Sequence, residues 1–168
     1  GFTDASKSAE SKIIFDKDFF DEIKSKNYSL MGTKKNHISW EDVENLVDTL
    51  HQNILKADIK LEHIHGLPRG GLIPAVILSH RMGIPLTSYM YLPNTLIIDD
   101  ICDSGHTLKE CYTIPKSQHT AVLHYKPHTS IIEPDLYACK FESDDWIVYP
   151  WEEVDSKAIQ DYKIKAWL

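Results

Sequence analysis

The chain has 168 residues, of which 42% are hydrophobic and 26% are charged, a balance typical of a globular protein of about one domain. Its formal net charge of -7 at pH 7 disfavours binding to a nucleic-acid backbone, and its longest apolar run, residues 71–78, is too short to cross a bilayer. The three cysteines are odd in number and lack Cys-x-x-Cys spacing. We therefore expect reduced thiols in a cytoplasmic protein with no nucleic-acid partner and no membrane span.

Residues 1–37 are predicted to form an N-terminal extension, polar and frayed at first, with a short helix over residues 15–23. A longer helix is predicted to begin after Ser39, an N-cap residue with Asp42 three positions on. Apolar residues follow with the helical period, namely Val43, Leu46, Val47, Leu50 and Ile54. We expect this helix to pack on a sheet and to open the main domain, residues 38–168.

Strands and helices then alternate along the chain. The pattern predicts strands over residues 61–67, 85–92, 96–98, 121–125 and 136–141, and helices over residues 72–81, 107–112 and 156–162. Several strands are apolar on both faces, as in sheets that helices cover on both sides. The predicted fold class is therefore α/β, with a mostly parallel central sheet flanked by helices. In such sheets ligands bind beyond the carboxyl ends of the strands.

The stretch TLIIDDICDSGHTL, residues 95–108, carries the strongest chemical signal in the sequence. Residues 96–98 predict a buried strand, so Asp99 and Asp100 are expected at its mouth, where adjacent carboxylates repel each other unless a cation or hydroxyl groups hold them. Magnesium binds one or two carboxylates together with phosphate oxygens. An acidic pair in this place therefore suits a Mg-bound sugar phosphate.

A turn over residues 103–107 follows and runs into a helix, whose first amide groups suit a phosphate. Ser104 and Thr107 add hydroxyl donors, and Gly105 allows a close backbone approach. An isolated Asp-Asp pair or Ser-Gly turn would more often be a plain surface feature. The complete string is much more specific than either of its parts.

That string, an apolar strand, two acids, two spacers and Asp-Ser-Gly-x-Thr, resembles the signature of type I phosphoribosyltransferases, which bind 5-phosphoribosyl 1-pyrophosphate (PRPP). GLPRGG, residues 66–71, resembles the pyrophosphate loop of that family, which often contains a cis peptide; here the bond between Pro68 and Arg69 is the candidate. HYKP at 124–127 and DDWIVYPWEE at 144–153 narrow the resemblance to bacterial xanthine-guanine phosphoribosyltransferases, over about residues 38–152.

The resemblance implies a type I phosphoribosyltransferase fold with a small C-terminal hood near residues 126–152. It also implies a Mg²⁺-dependent transfer of the 5-phosphoribosyl group from PRPP to a 6-oxopurine (guanine, xanthine or hypoxanthine), with release of pyrophosphate, in a homodimer or homotetramer. Asp103 would be the general acid/base, and Asp100 would face the metal. The residues implied in binding PRPP and phosphate are Arg69, Gly70, Asp99, Asp100, Ser104, Gly105, His106 and Thr107.

The purine is implied to meet Lys126, which would donate to its 6-oxo group, Trp146, which would stack on its ring, and the Ile147 backbone, which would meet its 2-substituent. These roles are chemically reasonable, since a lysine ammonium only donates hydrogen bonds and an aromatic face stacks well on a base. For Trp151 we favour a role in core packing. The histidines show no metal-binding spacing, so we expect no zinc site.

Two features depart from the family pattern. The family places a long flexible loop before the acidic strand, whereas residues 85–94 run almost directly into it, so another element or a partner subunit would have to cover the site. His106 stands where a glycine or a basic residue is common. A catalytically weak module that senses PRPP or a nucleotide is therefore the alternative. A phosphatase or receiver-type domain also clusters aspartates, but it explains neither Arg69 with its two glycines nor Lys126 with Trp146.

Overall fold

The computed structural model describes residues 34–111 and 118–153, together with Asp18. The chain divides into two compact units, and the larger contains residues 37–143 and 149–152. Within the described residues, the smaller unit contains residues 34–36, 144–148 and 153, with Asp18. The predicted helix over residues 156–162, and that over residues 15–23 apart from Asp18, lie outside the described residues. The boundary predicted at residue 37 stays a prediction.

The elements of the described residues, in chain order, are β1 (Lys35–His37), α1 (Trp40–Ala57), β2 (His63–Gly66), α2 (Leu72–Met82), β3 (Thr95–Cys102), α3 (His106–Cys111), β4 (His119–Tyr125), β5 (Leu136–Lys140) and β6 (Trp146–Val148). Helices and strands thus alternate as the sequence pattern predicts. None of the helices among the described residues is both long and apolar enough to cross a membrane.

The larger unit is built on a four-stranded sheet in the order β2-β3-β4-β5, and each neighbouring pair is parallel. Its central strands β3 and β4 are buried along most of their length, because they are apolar on both faces. Helices α1 and α2 pack on this sheet. The predicted α/β fold with a mostly parallel, helix-flanked sheet is confirmed. All four strands end at the same edge, where a ligand site is expected.

Helix α1 begins where the sequence predicts. The backbone N–H of Asp42 donates to Ser39 Oγ at 3.0 Å, and the N–H of Ser39 donates to Asp42 Oδ2 at 2.9 Å, which is a capping box. Its buried residues are Val43, Val47, Leu50 and Ile54. The helix ends at Ala57, and the next residue, Asp58, has a left-handed φ of 50°. The capping pattern and the apolar period therefore predict both the start and the buried face of this helix.

The prediction of a strand over residues 85–92 is wrong. Only Leu86 forms a bridge, to Ile64 of β2. Beyond it, the side-chain amide of Gln118 donates to the carbonyl oxygens of Met90 at 2.6 Å and Leu92 at 3.0 Å. These carbonyls are thus bound by a side chain instead of a neighbouring strand. The segment is a short irregular connection that is fixed by its own hydrogen bonds.

The acidic strand also differs from the prediction. The strand continues to Cys102, so Asp99 and Asp100 lie within β3 and not beyond its carboxyl end. Ladder pairing with β4 extends to Cys102 and Tyr125, which keeps the acidic residues in extended backbone. Asp100 is consequently only 9% exposed.

Strands β1 and β6 form a two-stranded sheet, which belongs to the smaller unit except for His37. The backbone N–H of Trp146 donates to the carbonyl oxygen of Lys34 at 2.8 Å. Trp146 and Ile147 thus lie on strand β6, which we did not predict from the sequence. The predicted hood near residues 126–152 stays a prediction.

Candidate functional site

The turn after β2 lies beside the acidic strand. Register places Gly66 opposite Ile98, and beyond that pair the N–H of Leu67 donates to the carbonyl oxygen of Ile98 at 2.9 Å. The turn closes on itself through the N–H of Gly71, which donates to the carbonyl oxygen of Leu67 at 3.0 Å. The bond between Pro68 and Arg69 is cis, which confirms the candidate named from the sequence.

Gly70 sits directly against Asp100. A Cβ atom at Gly70 would overlap the carboxylate of Asp100, and one at Gly71 would overlap the carbonyl oxygen of Ile98. Both glycines therefore allow a close approach of backbone to β3 that no other residue type permits. The glycine-rich turn and the acidic strand thus lie side by side, with Gly70 against Asp100. The phosphate-binding roles predicted for Arg69, Gly70 and Asp100 stay predictions.

Backbone N–H groups hold the two adjacent carboxylates. The N–H of Asp100 donates to Asp99 Oδ1 at 2.9 Å, and the N–H of Ile101 donates to Asp100 Oδ1 at 2.8 Å. Such bonds stabilise ionised carboxylates. Within the described part of the chain, no three His, Cys, Asp or Glu side chains cluster as a self-sufficient metal site. A carboxylate such as that of Asp100 is a hard oxygen donor of the kind that magnesium takes, and magnesium draws its remaining ligands from phosphate and water.

The turn after β3 contains the four predicted phosphate-binding residues Ser104, Gly105, His106 and Thr107. Gly105 has a φ of 80°, in the left-handed region. A Cβ there would come within 2.5 Å of Ser130 Oγ, so the glycine is required by space as well as by conformation. Helix α3 begins at His106, and the N–H of Lys109 donates to the carbonyl oxygen of Gly105 at 2.9 Å.

Lys126 and Asp103 meet at the ends of β4 and β3. The Nζ atom of Lys126 lies 3.7 Å from Asp103 Oδ2, and the side chains are 4% and 16% exposed. The ammonium also lies 5.7 Å from the ring centre of Phe141, a cation–π distance. The N–H of Lys126 donates to the carbonyl oxygen of Cys102 at 2.9 Å. A buried hydrogen-bond donor thus stands beside a carboxylate that is able to accept a proton.

The loop after β4 holds this turn in place, a role that we did not predict. The Thr129 hydroxyl lies 2.8 Å from Asp103 Oδ1 and 3.0 Å from the Asp103 carbonyl oxygen, and it shares its proton between them. The N–H of Ile131 donates to the carbonyl oxygen of Ser104 at 3.0 Å. Neither contact is visible in the local sequence pattern. The only signal was the pair of hydroxyl residues, Thr129 and Ser130, that directly follow the HYKP stretch and His128.

A second contribution that we did not predict comes from His124 and Tyr149. The His124 Nδ1 atom lies 2.7 Å from the Tyr149 hydroxyl, which in turn lies 3.0 Å from the carbonyl oxygen of Asp100. Burial, and then the charge of Lys126, lower the pKa of His124 to about 4. Burial raises the pKa of Tyr149 well above its ordinary value. Both side chains are therefore neutral near pH 7.

Tyr149 also has a packing role together with Trp151. Their rings are stacked, with centres 4.7 Å apart and planes 4° apart, and Trp151 lies 6.0 Å from Trp40. This agrees with the packing role that we favoured for Trp151. The base-binding roles predicted for Trp146 and Ile147, which lie on β6 in the smaller unit, stay predictions.

A parallel α/β sheet, a glycine-rich turn with a cis bond and an acidic strand beside that turn define the type I phosphoribosyltransferase fold. The structure is similar to that of a purine phosphoribosyltransferase from Pyrococcus horikoshii, with a TM-score of 0.62 and 31% identity over 73% of this chain and 97% of that one. The chain belongs to the purine phosphoribosyltransferase family.

Two bacterial xanthine-guanine phosphoribosyltransferases are also similar in sequence. The protein of Cereibacter sphaeroides is 30% identical over 112 residues, which cover 52% of this chain and 66% of that protein. The protein of Nitratidesulfovibrio vulgaris is 25% identical over 137 residues, which cover 68% of this chain and 83% of that protein. No protein-family model matches the chain.

Proposed function

We propose that this protein transfers the 5-phosphoribosyl group of PRPP to a 6-oxopurine and releases pyrophosphate. The observation that carries the proposal is the pairing of the Lys126 ammonium with the Asp103 carboxylate, 3.7 Å apart and largely shielded from water. A module that only bound phosphates would need neither group. A 6-oxopurine needs both, since it presents an oxygen that accepts a hydrogen bond and a ring N–H that must lose its proton.

PRPP would lie along the edge formed by the two turns and the acidic strand. The turn over residues 103–107 would hold the 5'-phosphate through its N–H groups and the hydroxyls of Ser104 and Thr107, with His106 as a further donor. Asp99 and Asp100 would accept hydrogen bonds from the ribose hydroxyls. Arg69 and the backbone at Gly70 would hold the pyrophosphate. The contact of Gly70 with the Asp100 carboxylate supports the placing of the pyrophosphate and ribose beside each other.

Asp100 would hold a magnesium ion, which would offset negative charge on the pyrophosphate. The chain itself would mainly position the reactants and stabilise charge. In the reaction, the bond from the ribose anomeric carbon to the pyrophosphate oxygen breaks, and its electron pair leaves with pyrophosphate. A bond forms from the same carbon to a purine ring nitrogen, and the proton of that nitrogen passes to Asp103.

Lys126 would select 6-oxopurines over 6-aminopurines, because an ammonium donates to an oxo group and repels an amino group's N–H donors. Trp146 would stack on the base and the Ile147 backbone would meet its 2-substituent. We further propose that the enzyme acts in the cytoplasm as a homodimer or homotetramer. Measurement of the mass in solution tests the latter, and a mass of 19.3 kDa for the active species would contradict it.

The second candidate is a weakly catalytic module of the same fold that senses PRPP or a nucleotide. The observation in its favour is the short connection over residues 85–94. The N–H of Thr87 donates a hydrogen bond to the Ile64 carbonyl oxygen, and the Gln118 side-chain amide donates to the carbonyl oxygens of Met90 and Leu92. A connection held in this way leaves little length for a loop that closes over the reactants and excludes water.

One experiment separates the two candidates. Purified protein is incubated with PRPP, Mg²⁺ and, in turn, guanine, xanthine, hypoxanthine or adenine, and nucleotide formation is followed. Turnover of an oxopurine but not of adenine, lost by about 100-fold or more in Asp103→Asn, supports the enzyme. Tight PRPP binding without turnover of any base would support the sensor and contradict the enzyme.

A further inference from the structure

A buried polar chain leads from β4 to the backbone of the acidic strand. It consists of the His124 imidazole, the Tyr149 hydroxyl and the Asp100 carbonyl oxygen, at 2.7 Å and 3.0 Å. His124 is 4% exposed and Tyr149 is 2% exposed, so no solvent route competes for these bonds. The Phe141 ring packs edge-on against the imidazole with ring centres 5.7 Å apart, which fixes the plane of the imidazole.

The chemistry of the three groups fixes the direction of the hydrogen bonds. A carbonyl oxygen only accepts, so the Tyr149 hydroxyl donates its single proton to Asp100. The hydroxyl oxygen must then accept from His124, whose Nδ1 therefore carries the proton. Because burial keeps the imidazole neutral, its Nε2 is unprotonated. The chain of bonds thus requires one particular tautomer of His124.

This series of hydrogen bonds ends at the backbone of Asp100, so it affects how the Asp100 carboxylate is placed. Pairing of β3 with β2 stops at the pair Gly66 and Ile98, so no residue of β2 lies opposite Asp100. Tyr149 supplies a hydrogen bond there that the sheet does not. The same residue, Asp100, places its carboxylate against Gly70. The backbone that Tyr149 holds is therefore the backbone that aims this carboxylate.

We propose that Tyr149, oriented by His124, is a positioning residue for the PRPP and magnesium side of the site. This inference rests on the proposed function. Neither side chain is needed to touch a reactant: Tyr149 acts by fixing the peptide after Asp100, and His124 acts by fixing the hydroxyl of Tyr149. Loss of the hydrogen bond from Tyr149 to Asp100 would let the Asp100 carboxylate move relative to Gly70, while Lys126 and Asp103 would stay in place.

Tyr149→Phe removes the hydroxyl and keeps the ring that stacks on Trp151. We expect the KM for PRPP, and the Mg²⁺ concentration needed for half-maximal rate, to rise about 3- to 10-fold, the effect of one lost hydrogen bond. The KM for the purine should change by less than about 2-fold. A purely structural role would instead alter both substrates equally, through a smaller folded fraction, which thermal unfolding measures.

His124 offers a matched pair of variants. An asparagine side-chain amide retains an N–H donor near the position of Nδ1, whereas leucine retains only bulk. We expect His124→Asn to keep PRPP binding near that of the unaltered protein, and His124→Leu to reproduce the Tyr149→Phe effect. Should Tyr149→Phe fold poorly, this comparison still decides the matter. Equal PRPP affinity in the two His124 variants would overturn the proposal.

Two measurements without catalysis complete the test. Titration calorimetry with PRPP and Mg²⁺ should give a dissociation constant about 3- to 10-fold weaker for Tyr149→Phe. Nitrogen-15 NMR of the imidazoles should find His124 protonated on Nδ1. Protonation on Nε2 would contradict the proposed hydrogen bond from His124 to the Tyr149 hydroxyl. If the unaltered protein failed to bind PRPP, the proposed function would fall, whereas unchanged PRPP binding by Tyr149→Phe would overturn the positioning role alone.

Discussion

The carboxylate of Asp100 occupies the space that a side chain at residue 70 would need. Gly70 belongs to the turn after β2 and Asp100 to the neighbouring strand β3, so this contact joins the two halves of the candidate site. Because the carboxylate also accepts a hydrogen bond from the N–H of Ile101, it is not free to swing away without losing that bond. The identity of residue 70 therefore controls where Asp100 points.

Gly70→Ala is expected to weaken PRPP binding by about 10-fold or more, because the added methyl group displaces the carboxylate and breaks the bond from Ile101, an uncompensated loss of about 1–3 kcal/mol. Calorimetric titration with PRPP and Mg²⁺ measures the effect. Gly83→Ala is the matched control. Gly83 has a φ of 65° and no neighbour within 4 Å of an added Cβ, so that variant should lose stability but keep PRPP affinity. Equal affinity in both variants would contradict the prediction.

The Thr129 hydroxyl holds the proposed general base, Asp103, at 2.8 Å. Thr129→Val keeps the shape of the side chain and removes this donor. We expect kcat to fall about 3- to 10-fold with little change in the KM for PRPP, since a single hydrogen bond that orients the carboxylate is lost. Steady-state kinetics with an oxopurine measure this change. Thr129→Ser retains the hydroxyl and should stay near the original kcat; a loss in Thr129→Ser as large as that in Thr129→Val would argue against a role for the hydroxyl.

Much of this site was predictable because its information is local. The apolar run before Asp99, the Ser-Gly turn after Asp103 and the paired glycines after Arg69 each lie within a few residues of one another. The parallel sheet then brings these segments to one edge, since strand ends of a parallel sheet meet there. The start of α1 was predictable for the same reason, because a capping box spans four residues.

The remaining features depend on contacts between residues that are distant in sequence. Tyr149 reaches Asp100 across 49 positions, and Thr129 reaches Asp103 across 26. No periodicity or spacing encodes such pairs. The strand predicted over residues 85–92 failed for a similar reason. Its tyrosines favour a strand by propensity, but the carbonyls of the segment are bound by Gln118, and tertiary context overrides a weak local preference.

Lys126 is expected to determine which purines bind. Lys126→Met keeps the length of the side chain and removes its donors, so the KM for guanine or hypoxanthine should rise about 10-fold or more while PRPP affinity is kept. The chain offers a matched control in Lys140, whose ammonium lies 5.9 Å from the ring centre of Tyr137. Lys140→Met also removes a cation–π contact, but from an exposed side chain. A similar loss of purine affinity in Lys140→Met would show that the loss of any one positive charge causes the effect, and not the position of Lys126.

His124 makes stability depend on pH in a predictable direction. Its pKa is lowered from its ordinary 6.5 to about 4 by burial, then by the Lys126 charge, while Asp42 acts weakly in the opposite sense. Below pH 6.5 the unfolded chain therefore binds a proton at His124 that the folded protein does not bind. The free energy of unfolding falls as the pH falls through this window and levels off below about pH 4. A difference of this size corresponds to roughly 3 kcal/mol.

Chemical denaturation between pH 7.5 and 4 should therefore give a steeper loss of stability for the unaltered protein than for His124→Asn, which has no group that titrates at this position. Carboxylates elsewhere contribute equally to both proteins, so the difference between the two curves isolates residue 124. As the pH falls from 7.5 to 4, the stability difference should shift by roughly 3 kcal/mol in favour of His124→Asn, because only the unaltered protein takes up a proton at residue 124 on unfolding. Parallel curves across this range would mean that the imidazole is protonated equally in the folded and unfolded states, which would contradict the lowered pKa of His124.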